Sequence, residues 1–254
     1  KIGATLVTVN TNYKVFEAEY LLKQSDTDTL VMMEGLKDTN YTEIINELCP
    51  ELKTSTPGSM DCENLPYLKR VIYLDSKEKT PQGMLHWSEL HKLSEKISDD
   101  ELRARQASVD CHDVVNMQYT SGTTGFPKGV MLTHYNILNN GKCIGDNQIF
   151  TYRDRVCLPV PFFHCFGCVL GVMACLTHRC TMLIVEEFNA ELVLQALDKE
   201  KATAVYGVPT MFIAELNHPD FDSFDLSHLR TGIMAGSPCP PETMREVMER
   251  MNMR

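Results

Sequence analysis

The sequence predicts an α/β protein with mostly parallel, doubly wound sheets and helices on both faces. Three observations predict it. Short apolar, β-branched runs alternate with amphipathic stretches from one end of the chain to the other. The run at 4–10, the stretch 14–25 and the run 29–33 form a strand–helix–strand unit of the length that a parallel crossover needs. The chain has 254 residues, 43% of them hydrophobic, enough to bury a sizeable core.

Residues 4–10 are strongly apolar and read as a strand. Lys14 to Ser25 reads as a helix with Phe16, Tyr20 and Leu21 on one face. Thr29 to Met33 is a second strand. Asn40-Tyr41-Thr42-Glu43 has the form of a capping box for a helix to Cys49, which Pro50 stops. Residues 51–67 form a loop and Arg70 to Leu74 a strand. Leu85 to Ile97 reads as a helix, with Trp87, Leu90, Leu93 and Ile97 at helical spacing and Trp87 as a packing aromatic. The polar stretch 98–113 reads as a connector. Val114 to Tyr119 is a strand, Val130 to Leu132 a short one, and Thr133 caps a helix to about Ile144. Arg155 to Leu158 is a strand, followed by an apolar helix to Leu176 and a strand at 181–185. Asn189 caps a helix to about Lys199. Strands at 203–206 and 229–235 flank a helix to Leu216, and Pro241 opens the last helix. By this reading 1–113 is part of a first α/β subdomain, and 114–254 is an α/β subdomain holding the candidate site segments.

The stretch richest in chemistry is Tyr119-Thr120-Ser121-Gly122-Thr123-Thr124-Gly125-Phe126-Pro127-Lys128-Gly129. Its glycines let the backbone turn and approach a ligand closely. Thr120, Ser121, Thr123 and Thr124 offer uncharged hydroxyl donors, and Lys128 offers a mobile cation for phosphoryl oxygens. A strand opening into such a loop points backbone N–H groups at an anion. It is not a Walker loop, because Lys128 precedes its glycine and Pro127 stands beside it. A polar surface turn is the plain alternative for any Gly/Ser/Thr cluster.

The formal net charge of −10 argues against nonspecific nucleic-acid binding. No apolar run reaches membrane-spanning length. The ten cysteines are scattered, most in apolar surroundings, and are expected to be reduced core residues. Cys165-Phe166-Gly167-Cys168 lacks the second close pair that a zinc site would want, and neither a metal site nor a redox Cys-x-x-Cys is expected there. His86, His91, His112, His218 and His228 read as solvated, and the acidic 220–225 stretch as a solvated loop without calcium-loop spacing.

The 119–129 motif, extended by Val130-Met131-Leu132-Thr133-His134, resembles the phosphate-loop signature of the adenylate-forming superfamily, and among its members the acyl-CoA synthetases. The resemblance implies a cofactor site for ATP at Thr120, Ser121, Gly122, Thr123, Thr124, Gly125, Lys128 and Gly129, with Lys128 and Thr120 acting on the departing pyrophosphate. Ala235-Gly236-Ser237-Pro238 resembles the short turn that contacts adenine. Pro161-Phe162-Phe163-His164 resembles the segment beside the acid substrate, implying that Phe163 and His164 bind it and that His164 orients its carboxylate. Val208 and Phe212, after the 203–206 strand, are then pocket candidates. The implied reaction joins a carboxylic acid, expected to be a fatty acid, to coenzyme A by way of an acyl-adenylate. Magnesium is implied too, with its main ligand outside this chain. The implied location is the cytoplasm or the mitochondrial matrix.

The resemblance covers nearly the whole chain but only part of the family pattern. No Tyr-Gly-x-Thr-Glu segment, ribose-binding Asp, hinge or small C-terminal domain follows. The chain also opens on Lys1 without an initiator Met. It reads as a fragment of the large N-terminal domain, expected not to complete adenylation alone. The alternatives are an aryl-acid or amino-acid adenylating enzyme, or a noncatalytic ATP-binding module.

Overall fold

Apolar β-branched runs pair as parallel strands in both halves of the chain, and the helices between them close the cores. The computed structural model describes residues 1–120 and 125–254. Their contacts divide into two units, Lys1–Thr133 and His134–Arg254. In chain order the first runs β1 (Leu6–Val7), α1 (Val15–Gln24), β2 (Thr29–Met32), β3 (Gly35–Leu36), β4 (Thr39–Asn40), α2 (Tyr41–Leu48), β5 (Arg70–Tyr73), β6 (Leu85–His86), α3 (Glu89–Ser94), α4 (Asp99–Ala107), β7 (Val114–Thr120) and β8 (Lys128–Thr133). The second runs α5 (His134–Asn147), β9 (Arg155–Leu158), a π-helical stretch Phe166–Met173 continuing into α6 (Ala174–His178), β10 (Thr181–Ile184), α7 (Ala190–Lys199), β11 (Ala204–Gly207), α8 (Pro209–Leu216), β12 (Thr231–Met234) and α9 (Pro241–Arg250).

In the first unit β2, β5 and β6 form a parallel sheet. β1 pairs parallel with β7, and β7 pairs antiparallel with β8. The core gathers Leu21 and Leu22 of α1, Ile45 and Leu48 of α2, and Val71 and Tyr73 of β5. Asn40 caps α2 by accepting from Glu43 N at 2.9 Å.

The helix expected over 85–97 begins late. Leu85 and His86 instead extend the sheet opposite Ile72 and Tyr73, and helix is confined to α3. His86 is not solvated: its Nδ1 accepts from Ser88 N at 3.1 Å and its Nε2 meets the Asp75 carbonyl at 2.8 Å, which fixes the strand end. The 98–113 connector contains α4, opened by a reciprocal cap in which Ser98 Oγ accepts from Glu101 N and the Glu101 carboxylate accepts from Ser98 N. Its residues are all exposed, so no apolar periodicity announced it. The thiols are not all reduced: Cys49 at the end of α2 and Cys62, thirteen positions later, are joined as a disulfide inside the core. The apolar helix expected before Leu176 is π-helical over most of its length.

The second unit is a four-stranded parallel sheet in the order β10-β9-β11-β12. Alternation along the strands feeds two cores. Val156, Leu158, Ala204 and Tyr206 face Phe150, Phe166, Ala174 and Cys175. Cys157 and Val205 face Leu194 and Leu197 of α7, Phe212 and Leu216 of α8, and Val247 of α9. Helices thus cover both faces, as doubly wound sheets require. The strands are tied at their entry end by buried Asp154. It accepts from Thr151 N at 2.7 Å, Thr203 Oγ1 at 2.8 Å and Arg230 at 2.8 Å. Burial alone would raise its carboxyl; the hydrogen bonds and the Arg230 charge outweigh this and hold it below the usual carboxylate range.

Candidate active site

The phosphate-loop motif spans a hairpin. Thr120 ends β7 and Lys128 opens β8, and the two residues face each other across the ladder. Ser121, Gly122, Thr123 and Thr124 lie outside the described residues. Gly125 has φ +109°, and a Cβ built on it would meet nothing within 4 Å. Its glycine is therefore required by backbone conformation, not by crowding.

Helix α1 holds the hairpin's stem. Tyr20 Oη donates to the Pro127 carbonyl at 2.9 Å, and its ring stacks on Phe126 at 5.1 Å. Phe16, one turn earlier, meets Phe126 at 6.3 Å. Tyr119 Oη donates to Gln24 Oε1, one turn after Tyr20. Gly129 fits beneath that pair: a Cβ there would lie 3.0 Å from Gln24 Oε1 and 3.1 Å from the Tyr119 ring. Phe16, Tyr20 and Gln24 recur every fourth residue, so one helix face grips Tyr119, Phe126 and Pro127. Sequence reasoning placed Phe16 and Tyr20 on one face, but a helical spacing does not name the surface it meets. Lys128 and Thr120 are exposed, and among the described residues no carboxylate forms an ion pair with Lys128.

The remaining candidates sit at the carboxyl edge of the second unit's sheet. Residues 159–164 follow β9, Val208 follows β11 and residues 235–238 follow β12, all parallel strands lying side by side. That edge is where open α/β sheets bind ligands. His164 is exposed, and its Nδ1 accepts from Phe166 N at 3.1 Å. The neutral ring therefore carries its proton on Nε2. Phe163 is half-buried beside it. Phe166 anchors the segment by stacking on Tyr206 at 5.8 Å. Gly167 is required by crowding, since a Cβ would lie 2.5 Å from the Pro161 carbonyl and 2.8 Å from the Phe162 ring.

Ala235 continues the sheet, its N–H donating to the Gly207 carbonyl at 3.1 Å. Gly236 follows with φ +90°, and a Cβ on it would be 3.1 Å from Val208 Cγ1. The structure thus brings Val208 and the 235–238 turn together, with Gly236, Ser237 and Pro238 exposed. Phe212 lies elsewhere. It is fully buried on the opposite face of the sheet, against Cys157 and Leu194, so it shares no surface with Val208.

Asp110, Cys111 and His112 bring three ligand atoms within 4.8 Å of one another on an exposed turn, and the bond from His112 N to Asp110 Oδ1 accounts for that closeness. No helix among the described residues is long and apolar enough to cross a membrane.

The family model for AMP-binding enzymes matches residues 1–254. The chain is 56% identical over 254 residues to the Bacillus subtilis protein named "Putative acyl-CoA synthetase YngI", covering all of this chain and 46% of that one. It is 38% identical over 257 residues to the human mitochondrial medium-chain acyl-CoA ligase ACSF2, covering 99% of this chain and 42% of that one. The chain thus spans about half the length of the curated relatives it matches, or less. The anthranilate CoA ligase AuaEII in complex with anthranoyl-AMP superposes with a TM-score of 0.75 at 22% identity, over all of this chain and 44% of that one. The N-terminal domain of FACL13 from Mycobacterium tuberculosis superposes with a TM-score of 0.70 at 21% identity, over 99% of this chain and 55% of that one. These two likenesses agree with the α/β fold described above. The match along its whole length shows that this chain belongs to the AMP-binding enzyme family.

Proposed function

We propose that these 254 residues form the phosphate-loop and acid-site portion of an acyl-CoA synthetase that activates a fatty acid of medium length. The observation that carries the proposal is the stem of the 119–129 segment: Thr120 and Lys128 pair across the ladder on either side of a Gly- and hydroxyl-rich sequence, and Tyr20 bonds the Pro127 carbonyl and stacks on Phe126. Such a segment would stabilise phosphoryl charge by position, without covalent attack. A carboxylate would attack the α-phosphorus of ATP and expel pyrophosphate, and the thiol of coenzyme A would then displace AMP. Thr120, Ser121, Gly122, Thr123, Thr124, Gly125, Lys128 and Gly129 would hold the β- and γ-phosphates and then the pyrophosphate. Ala235, Gly236, Ser237 and Pro238 would meet the adenine. Phe163, His164 and Val208 would meet the acid, with His164 Nε2–H donating to its carboxylate. Phe212, with no exposed surface, would support from the core.

Two features favour a fatty acid over an amino acid. Segments 159–168, 207–212 and 235–238 contain no Asp or Glu, so an ammonium group would find no partner there. The relatives at 38% identity are named as medium-chain ligases. The hairpin 114–133 likewise carries no Asp or Glu, so it offers a magnesium ion no carboxylate. The ion's protein ligand would come from outside these residues. Acid-dependent ATP–pyrophosphate exchange across short, medium, long and aromatic acids, in the protein extended at both ends, tests the substrate class. Fastest exchange with a medium-length alkyl acid is expected; a preference for an aromatic or amino acid would overturn it.

A further inference from the structure

We infer that Tyr20 is a positioning residue for Lys128, whose ammonium it aims by holding the Pro127 carbonyl. The inference rests on the phosphate-loop reading of 119–129. Tyr20 Oη donates to Pro127 O at 2.9 Å, across 107 positions of sequence. That oxygen and Lys128 N belong to one planar peptide unit. A bond that fixes the oxygen therefore fixes the Cα from which the Lys128 side chain leaves. Thr120 and Lys128 are one rung of the β7–β8 ladder, and Tyr119 and Gly129 are the next. Helix α1 reaches both strands at these rungs: Tyr20 takes Pro127 on the β8 side, and Gln24 takes Tyr119 on the β7 side.

The fold has little need of the hydroxyl. Six residue pairs join β7 to β8 without it, and a phenyl ring at position 20 would keep the stack on Phe126. Phe126 and Lys128 are exposed and Pro127 is half-buried, so water would replace the hydroxyl at the carbonyl. What water would not supply is direction. The Lys128 ammonium rides on a flexible four-carbon stem, so its reach is only as precise as its root. A small misplacement of a charge-stabilising group is costly in the transition state. Tyr20 itself touches no phosphate in this account and acts only through Pro127 and Lys128.

The test is acid-dependent ATP–pyrophosphate exchange by the extended protein, by its Tyr20→Phe and Lys128→Ala variants, and by the double variant. Tyr20→Phe is expected to lower kcat about tenfold and to leave KM for the acid within about twofold. In the Lys128→Ala protein the same change should cost less than about twofold more, because no ammonium is left to aim. A further tenfold loss there would mean that the hydroxyl acts on the fold or on another group, and would overturn the inference. Full exchange by Tyr20→Phe would overturn it too. Binding of inorganic pyrophosphate to the unaltered extended protein separates this inference from the reading beneath it. No binding and no exchange would sink the phosphate-loop reading and this inference with it. Binding and exchange that Tyr20→Phe leaves intact would sink this inference alone.

Discussion

Lys128→Ala is expected to slow acid-dependent ATP–pyrophosphate exchange about 10²–10³-fold in the extended protein, on the order of 3–4 kcal/mol of transition-state stabilisation. The side chain is exposed at the mouth of the hairpin, opposite Thr120. Its removal opens no cavity and breaks no ion pair among the described residues, so the melting temperature should not move. Lys128→Arg should restore only part of the rate, because a guanidinium still pairs with phosphoryl oxygens but offers a fixed fork in place of a compact, mobile ammonium. Stopped exchange with an unchanged melting temperature would separate a charge role from a folding role. Full exchange by Lys128→Ala would remove this residue from the mechanism.

The second large effect concerns stability. Glu215 on α8 is 1% exposed, and its Oε2 has no hydrogen-bond partner among the described residues. Burial pushes its carboxyl from the ordinary 4.5 up to about 8. The ionisable group it acts on is the buried Cys157 thiol, which its charge helps to raise. Below the ordinary value both folded and unfolded chains hold the proton, and Glu215 adds no pH dependence. Between that value and about 8 the unfolded chain releases the proton while the folded chain keeps it. Stability then falls with rising pH by about 1.4 kcal/mol per unit from this group. Above the folded value both forms are ionised and the slope ends, with the full destabilisation in place. Glu215→Gln is expected to flatten this slope, so that its melting temperature gains on that of the parent protein between pH 5 and pH 8. Thermal unfolding across that range checks it; parallel curves for the two proteins would contradict it.

The alternation of strand and helix was legible because most elements are covered on one face, and their apolar periods show which. β9, β11 and α7 follow the expected bounds closely for that reason. β6 was missed because two residues carry no period, and Leu85 and His86 pair only once Ile72 and Tyr73 are in place. α4 was missed because it has no buried residue; the Ser98-x-x-Glu101 cap was its one sign. The Cys49–Cys62 bond joins residues that only the packed core brings together, so scattered spacing concealed it.

The candidate site stands out in the sequence where residue types are chemically specific, as in the 119–129 stretch and at Phe163-His164. It was not legible where a neighbour comes from far along the chain. Tyr20 bonds Pro127 across 107 positions, and Arg230 bonds Asp154 across 76. Phe212 shows the opposite error. Its place shortly after a strand suggested the ligand edge, but helix α8 turns that side chain to the other face of the sheet.

The central claim is that this chain supplies the phosphate loop of an acid-activating enzyme. The most direct measurement is incorporation of labelled pyrophosphate into ATP, with and without a medium-length fatty acid, by the extended protein and by the 254 residues alone. Acid-dependent incorporation by the extended protein, absent from the 254 residues alone, is predicted. ATP binding by the extended protein without acid-dependent incorporation would contradict the claim and leave a noncatalytic nucleotide-binding module.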